Sequence, residues 1–392
     1  NQCGFDRIEL RRRNLVASEA MPYKNAVGVT YDSGDYAAAM DRAVELSGWA
    51  GFAARRAESE GRGLCRGIAL ANYIEVTSGI PRERAEIIVS PDGSVELALG
   101  TASSGQGHET SFAQLVCEWL HVPFEQVRYI ANDTDRVSVG GGSHSGRSMR
   151  LASIAIGEAG AANAALLAVA MLATTDPELA ERLEILREAI AAHVLQASAD
   201  EIVFREGAFR TPGGASLDLA DAAGAAATLE SLPDDLCGDL EGVGDITNRA
   251  GGYPYGSHVC EVEVDPDTGH VQILTWTGVD DVGLAVNPMI LHGQAHGAIA
   301  QGLGQALLEH SHYDPDSAQL LTGSFMDYAM PRADTTPPMN TVLTEIPASS
   351  HPYGIRPGGE GGTTPALAVV IGAIVDALSE FGVTHIEMPA TP

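Results

Sequence analysis

Four glycine-rich segments divide this chain, and each lies next to a stretch with the apolar pattern of a helix. They are TASSGQGHET (101–110), GGGSHSGRSMR (140–150), HGAIAQGLG (296–304) and RPGGEGGTTP (356–365). Small residues that precede or open a helix leave its first backbone N–H groups free to bind phosphate or a flat polar heterocycle. For any one segment, tight packing of a helix on a sheet is the alternative. A glutamine among glycines occurs twice, at Gln106 and Gln301, which favours one large ligand that binds at several segments.

The sequence between the segments predicts an α+β fold of mixed sheets, in which strands lead through glycine-rich loops into helices. Two β-hairpins are expected because a turn sequence, PDG (91–93) or DPDTG (265–269), separates two alternating segments. Helices are expected at about 6–14 and 36–60, after the segment 101–110 to about 121, from the segment 140–150 toward 172, and at about 177–196, 288–310 and 364–382. Loop-like composition between about 197 and 253 predicts two lobes, formed by residues 1–200 and 201–392.

The charge balance disfavours several classes of partner and mechanism. A formal net charge of −29 at pH 7 opposes binding to nucleic acid or to an anionic membrane surface. Lys24 is the only lysine of the chain. This disfavours both an ATPase with a phosphate-binding lysine loop and a lysine Schiff-base enzyme.

The five cysteines are scattered and form no CxxC pair: Cys3, Cys65, Cys117, Cys237 and Cys260. We interpret them as reduced thiols of a cytoplasmic protein, and not as a disulfide framework, a zinc site or an iron–sulfur site. The longest apolar segment, 152–173, is interrupted by glycines and a glutamate, which indicates a buried helix rather than a membrane span.

The left end of the chain has the pattern of a helix that continues from elsewhere. The chain begins at Asn1 without a methionine and goes directly into DRIELRRRNL (6–15), and no signal peptide is visible. We therefore expect a processing or subunit boundary at this end, with further sequence upstream.

The common phosphate, hydrolase and metal motifs are absent. No segment completes GxGxxG, GxxxxGK or GxSxG, and HExxH and EF-hand spacings are also missing. Side-chain donors are nevertheless present at the segments: Gln106, Ser145, Arg147, Ser148 and Gln301. Ordinary hydrogen bonding is the favoured interpretation of four histidines that lie in or beside the segments at no metal-ligand spacing: His108, His144, His292 and His296.

A single carboxylate, Glu360, stands between two pairs of glycines in GIRPGGEGGTTP (354–365). One explanation is local, since Thr363 or Thr364 could cap a helix with Pro365 at its first position, and an acid near that end suits the helix dipole. The other is catalytic, because glycines without side chains let a backbone approach a ligand closely. The local sequence leaves both explanations open.

Six longer motifs carry a resemblance to a known family. In chain order they are GTASSGQGHETSFAQL, DTDRVSVGGGSHSGRSMR, GSHVCEVEVDPDTG, DDVGLAVNPMILHGQAHGAIAQGLGQALLEH, LLTGSFMDYAMPRA and GGEGGTTPALAVVIGAIVDAL. Together they resemble the molybdopterin-binding large subunit of the xanthine dehydrogenase, aldehyde oxidase and aerobic carbon monoxide dehydrogenase family. The resemblance runs from Asn1 to Pro392 and covers only the second molybdopterin-binding domain. The upstream half is therefore expected on a separate or cleaved polypeptide.

The resemblance implies a molybdenum ion that is held by the dithiolene of a pterin, with no protein side chain as an obligatory ligand. The scattered cysteines and histidines agree with this. A cytosine dinucleotide form of molybdopterin is expected, and its pyrophosphate suits helix N-termini and glycine loops. The positions that match cofactor contacts are Gly105, Gln106, Gly107, His108, Ser143, His144, Ser145, Gly146, Arg147, Ser148, Gln301, Gly302, Gly359 and Gly361.

The resemblance also implies a reaction. Glu360 matches the active-site glutamate of the family, which acts as general base while an N-heterocycle or an aldehyde is oxidised with water as oxygen source. Electrons are then expected to pass to 2Fe-2S and FAD centres on partner subunits. Carbon monoxide oxidation and a non-catalytic scaffold paralogue are the alternatives.

Two points remain open at this stage. Arg356 departs from the sequence that the family often has before the acid, and it either orients Glu360 or faces solvent. The substrate is not specified, because four aromatic residues could line a pocket or belong to the core: Phe112, Tyr253, Tyr255 and Phe325.

Overall fold

The computed structural model describes residues 4–80, 82–90, 92–120, 122–163, 194–198, 201–205, 208–218, 221, 240–247 and 252–392. The chain forms two compact units, one of Asn1–Thr77 with Gly251–Pro392 and one of Ser78–Ala250. The first unit is discontinuous because a strand before residue 77 pairs with a strand after residue 251. The boundary expected near residue 200 lies inside the second unit, so these compact units differ from the two lobes proposed from the sequence.

The helices and strands of the described residues are as follows. The helices are α1 (Arg7–Arg12), α2 (Tyr36–Leu46), α3 (Phe52–Glu60), α4 (His108–Leu120), α5 (Arg147–Asn163), α6 (Pro288–Leu307) and α7 (Thr363–Ala377). The strands are β1 (Tyr23–Lys24), β2 (Thr30–Tyr31), β3 (Cys65–Ile74), β4 (Arg82–Val89), β5 (Val95–Leu99), β6 (Val127–Ile130), β7 (Val203–Arg205), β8 (Ala208–Arg210), β9 (Ser216–Asp218), β10 (Leu240–Thr247), β11 (Tyr255–Val264), β12 (Val271–Asp281) and β13 (Met339–Thr344).

The first unit is built on a four-stranded sheet in the order β13-β12-β11-β3. Strand β11 pairs antiparallel with β12 and β3, and β12 pairs parallel with β13, which confirms the hairpin predicted at DPDTG. Every residue of β11 is buried. This is expected of a central strand that is covered on both faces: α7 packs against β11 and β3, and α2 packs against β11 and β12.

Helices α6 and α7 form the larger core with one face of that sheet. Fully buried members include Trp276, Ile299, Val370 and Ala373. Each buried aliphatic side chain of this kind contributes roughly 1.5–3 kcal/mol of transfer free energy. The turn that contains Glu360 lies directly before α7, one of the two helices of this packed layer.

The second unit is built on a sheet in the order β10-β4-β5-β6. Strands β4 and β5 form the hairpin predicted at PDG, with Ser90 and Ser94 joined across the turn. Helix α5 packs against β10 and β4, and α4 packs against α5 and β6. Two of the glycine-rich segments lead into these helices, as predicted, because α4 begins at His108 and α5 begins at Arg147.

Two helix predictions have different outcomes. The prediction of a single helix at 36–60 is wrong. Helix α2 ends at Leu46, and Gly48 adopts a left-handed conformation (φ 60°) before α3 begins. Helical periodicity on both sides of a glycine does not reveal such a break, because a glycine within a helical pattern is compatible with either outcome. The helix expected at 177–196 lies almost entirely outside the described residues.

The apolar segment at 152–173 begins as a buried face of α5. Ala152, Ala155, Ile156 and Ala159 are buried, and the part after residue 163 lies outside the described residues. Among the helices that the structure describes, none combines the length and the apolar character needed to cross a membrane.

Candidate active site

Glu360 lies in the turn that leads into α7. Its carbonyl oxygen accepts hydrogen bonds from the N–H groups of Thr363 (3.1 Å) and Thr364 (3.3 Å), so the backbone of the turn is fixed by the first turn of the helix. Gly362 is the N-cap and gives no side-chain cap, while the Thr363 hydroxyl donates to the carbonyl of Ala298 (2.8 Å). The local alternative, in which a threonine caps this helix, is therefore wrong. The side chain of Glu360 is exposed.

The glycines around Glu360 are subject to different steric constraints. A Cβ on Gly361 would lie 2.4 Å from the hydroxyl oxygen of Tyr73, and a Cβ on Gly362 would lie 2.6 Å from the carbonyl oxygen of Ala295. Real Cβ atoms do not approach other atoms so closely, so internal packing accounts for these two glycines. A Cβ on Gly359 would meet its nearest atom at 3.8 Å. Gly359 is thus the position at which the turn stays open to a ligand.

The tyrosine that touches Gly361 belongs to a buried hydrogen-bond chain. The Tyr73 hydroxyl donates to Oδ1 of Asp280 (2.6 Å), which also lies 2.9 Å from Nε2 of His258. Nε1 of Trp276 donates to Nδ1 of His258 (3.0 Å). Because Nδ1 accepts, the proton of the imidazole is on Nε2 and points at Asp280. Burial raises the pKa of Tyr73 well above its ordinary value, so its phenol remains a neutral donor.

A second carboxyl group, that of Glu75, lies within hydrogen-bonding reach of the carboxyl group of Glu360. The N–H of Glu75 donates to the carbonyl of Pro254 (2.9 Å), which continues the pairing of β3 beyond its last residue. Burial, and then the hydrogen bond and the charge of Glu360, raise the pKa of Glu75 from 4.5 to about 8. Sequence reasoning missed Glu75. The available signal was an acid at the end of the apolar run IALANYIEV (68–76), on the same strand face as Tyr73.

Arg356 neither faces solvent nor touches Glu360. Its side chain is fully buried and lies 2.5 Å from Oδ1 of Asp281, while Nη2 donates to the backbone carbonyl of Ser33 (3.0 Å). The guanidinium also lies over the ring of Tyr255, 5.5 Å from its centroid. Arg356 therefore ties the segment before the turn to the sheet and to the loop before α2, and its influence on Glu360 is indirect.

In the second unit, two of the predicted cofactor loops are joined to each other. Nε2 of Gln106 donates to Oγ of Ser143 (2.9 Å), and Oγ of Ser148 donates to the same oxygen (3.1 Å). The backbone at these loops has the left-handed conformation that lets successive N–H groups converge. Positive φ angles occur at Gly105 (103°), Gly107 (68°), Ser145 (48°) and Gly146 (66°).

Arg147 has a structural role in these loops. Nη1 donates to the carbonyl of Gly142 (2.7 Å) and lies 2.9 Å from Oε2 of Glu83. Nε donates to the carbonyl of Ile80 and Nη2 to that of Arg82, at 2.9 and 2.7 Å. The side chain is fully buried. Arg147 was predicted to donate to the cofactor, but its donors hold the loop together instead.

His108 presents an unused nitrogen. Its ring is buried, stacks on Phe112 with centroids 5.0 Å apart, and bonds to the backbone of Ala102. Burial lowers the pKa of His108, so the ring is neutral. Nδ1 and the hydroxyl of nearby Ser103 have no hydrogen-bond partner in the described residues. Because a Cβ on Gly105 would also meet open space, this loop has both polar atoms and room to offer a ligand.

Gln301 and Gly302 lie in the interior of α6, so the prediction that segment 296–304 precedes or opens a helix is wrong. N–H groups inside a helix are bonded to carbonyls one turn earlier and are not free for a ligand. A Cβ on Gly302 would lie 2.3 Å from Cβ of Ala366 in α7. Close helix packing therefore explains Gly302, and the exposed side chain of Gln301 is what this segment could offer a cofactor.

The other candidate residues behave as ordinary structural groups. Nε2 of His144 lies 3.1 Å from the carbonyl of Gly141, and the rings of His292 and His296 bond to Thr341 at 2.9 and 3.1 Å. This agrees with the hydrogen-bonding interpretation of the histidines. Within the part of the chain that is described, no group of three or more metal-binding side chains occurs.

The four aromatic residues divide into core and surface. Phe112, Tyr253 and Tyr255 are buried, whereas Phe325 is 84% exposed. The neighbouring Met326 is 93% exposed. Of the four, Phe325 alone is therefore available to a partner or a substrate.

Comparison with known proteins gives consistent matches. A family model described as "Molybdopterin cofactor-binding domain" matches residues 42–337. The carbon monoxide dehydrogenase large chain of Hydrogenophaga pseudoflava is 31% identical over 99% of this chain and 47% of its own length. The nicotine 6-hydroxylase large subunit of Paenarthrobacter nicotinovorans is 30% identical over 98% of this chain and 46% of its own length.

A solved structure confirms the α+β fold. The crystal structure of quinoline 2-oxidoreductase from Pseudomonas putida 86 matches with a TM-score of 0.84 at 30% sequence identity. The match covers 100% of this chain and 49% of that one. This chain thus spans about half the length of the relatives that it matches.

Proposed function

Because the chain belongs to the molybdopterin cofactor-binding domain family, we propose that it is the second cofactor domain of a molybdenum hydroxylase. The enzyme would oxidise an N-heterocycle or an aldehyde with water as oxygen source. The observation that carries the proposal is the geometry of Glu360, whose backbone is fixed by α7 while its carboxylate is exposed next to the open position Gly359.

Loops of the second unit fit a pterin nucleotide. Polar atoms of Ser103 and His108 are buried with no hydrogen-bond partner among the described residues, and a Cβ on Gly105 of the same loop would meet open space. These residues, together with Gln106 and Ser143, would hold the cofactor, which we take to be the cytosine dinucleotide form of molybdopterin with molybdenum. When bound, this group supplies the two-electron redox centre. Arg147 would stabilise the loop through the hydrogen bonds that its guanidinium donates to backbone carbonyls.

The role of Glu360 is that of general base. An exposed carboxylate on a fixed backbone can accept a proton from the oxygen nucleophile and release it to solvent between turnovers. Buried hydrogen bonds fix Tyr73, and its hydroxyl packs against Gly361 in the turn that carries the carboxylate. Positional error of about 1 Å at such a group can cost about a hundredfold in rate.

The expected partners follow from the length of the relatives. Since this chain spans about half of each of them, a polypeptide with the first cofactor domain would complete the site. Subunits with 2Fe-2S clusters and FAD would take the electrons. The exposed side chains of Phe325 and Met326 suit a covered interface in such an assembly. A cytoplasmic location is part of the proposal and rests on the three cysteines of the described residues, Cys65, Cys117 and Cys260, which form no disulfide.

Carbon monoxide oxidation is a second candidate, favoured by the similarity to the Hydrogenophaga pseudoflava large chain. Oxidation assays with nicotine-like or quinoline-like N-heterocycles, with aldehydes and with carbon monoxide, each coupled to an artificial electron acceptor, would separate the candidates. Turnover with carbon monoxide alone would replace the hydroxylase proposal.

Metal and nucleotide analysis tests whether the protein is an enzyme or a scaffold. The protein is purified with its natural partner polypeptides, its molybdenum is measured, and the nucleotide that denaturation releases is identified. We expect about one molybdenum per chain and a pterin cytosine dinucleotide, because the fitting residues lie in two joined loops. Molybdenum near zero with no released pterin would favour the non-catalytic scaffold.

A further inference from the structure

Tyr73 and Glu75 lie two residues apart on one face of a strand, and each meets a residue of the turn before α7. The N–H of Glu75 still bonds to the carbonyl of Pro254, so the alternation of strand faces continues past the end of β3. Tyr73 contacts Gly361, and the carboxyl group of Glu75 lies within hydrogen-bonding reach of that of Glu360. One strand therefore contacts both the backbone of the turn and the side chain of Glu360.

We infer that Glu75 is a positioning residue, which keeps a proton and uses it to donate a hydrogen bond to the carboxylate of Glu360. A carboxylate has two oxygens that accept, so one oxygen of Glu360 is fixed by Glu75 while the other stays available for the reaction. The inference rests on the proposed general-base role of Glu360, and it adds that Glu75 orients the carboxylate of Glu360.

The surroundings explain why Glu75 holds the proton. Glu75 is half-buried while Glu360 is exposed, and a charge costs more at the less solvated position. Glu360 is the charged group that acts on Glu75, while Asp280 and Asp281, at the end of β12, act on Tyr73 of the same strand. Asp280 pairs with His258, and Asp281 pairs with Arg356. With a pKa of about 8, Glu75 is protonated at neutral pH.

Infrared spectroscopy tests the proton directly and does not depend on turnover. The complete enzyme that contains this chain is titrated from acid to alkaline pH, and the stretching band of protonated carboxyl groups is followed. In the wild type we expect one band that disappears near pH 8. The band should be absent in Glu75→Gln. It should persist in the control Glu387→Gln, because the side chain of Glu387 is exposed. In Glu360→Gln the same band should disappear at lower pH, because the charge that raises the Glu75 pKa is gone.

Kinetics test the positioning. Glu75→Ala should lower kcat about tenfold with little change in KM, because it removes the hydrogen-bond donor that orients the carboxylate of Glu360. Glu75→Gln should recover most of that loss, since an amide N–H can donate in place of the O–H. In the wild type kcat should fall above pH 8, when Glu75 ionises and repels Glu360, and this fall should be missing in Glu75→Gln.

Different outcomes would overturn the positioning role of Glu75 and the proposed function. A carboxyl band that titrates only in the ordinary range of glutamate, or Glu75→Ala kinetics equal to those of the wild type, would overturn the positioning role. A band near pH 8 in a protein without any oxidising activity would support the proton on Glu75 and count against the proposed function instead.

Discussion

Nη1 of Arg147 lies 2.9 Å from Oε2 of Glu83, and neither side chain is exposed to solvent. Glu83 also accepts from the N–H of Gly100 (3.1 Å) and from the hydroxyl of Thr101 (2.9 Å). The pair thus joins the start of β4 to the loop after β5 and to the start of α5. Because a buried charge without its partner is costly, loss of either residue of this ion pair should destabilise the second unit.

Glu83→Gln should destabilise the protein by about 3–5 kcal/mol, because the buried guanidinium of Arg147 then lacks a counter-charge. Glu96→Gln on β5 is the matched control. Its carboxylate pairs with Arg128 and Arg136 at 3.2 and 3.3 Å on a partly exposed surface, where a loss of about 0–1 kcal/mol is expected. Urea unfolding measures both values, and equal effects of the two variants would contradict the structural role of Arg147.

Two glycines of α6 should respond to alanine in opposite directions. Gly302→Ala should destabilise by about 1–3 kcal/mol, because its Cβ would lie 2.3 Å from that of Ala366. Gly297→Ala meets nothing within 4 Å and should stabilise by about 0.5–1 kcal/mol through helix propensity. Thermal unfolding checks the sign of each change. A Gly302→Ala variant of normal stability that has lost its cofactor would instead assign Gly302 to binding.

Gly361→Ala should lower kcat by roughly tenfold to a hundredfold, because the new Cβ would push against the Tyr73 hydroxyl, 2.4 Å away, and displace Glu360. Cofactor content should stay normal. Adding Tyr73→Phe removes the oxygen that is in the way, so the double variant should be more active than Gly361→Ala alone. A strictly additive loss in this double-mutant cycle would show that the two residues do not interact.

Local patterns in the sequence predicted those elements that depend on neighbouring residues. Both hairpins formed as expected, since turn residues and alternation act over a few positions. The two glycine-rich segments at 101–110 and 140–150 also lead into helices as expected, and those helices begin at His108 and Arg147. The break at Gly48 was not visible, because a glycine within a helical pattern is compatible with either outcome.

The missed part of the site depends on contacts between distant residues. Glu75 meets Glu360 because α7, which follows the turn of Glu360, packs against β3 from a distant part of the sequence. The burial of Arg147 and Arg356 was likewise invisible, because a charged residue is usually exposed and only the folded chain reveals its partner. Glu360 could be singled out because glycines surround it, whereas its partner looks like any acid at a strand end.

Glu360→Gln, prepared in the complete enzyme, is the most direct test of the proposed function. The amide keeps the size of the side chain but cannot accept a proton, so kcat should fall by about a hundredfold to ten-thousandfold. Molybdenum and pterin content should equal those of the wild type, since the fold of the turn depends on the backbone of Glu360 and not on its side chain. Turnover close to that of the wild type, at equal cofactor content, would contradict the account.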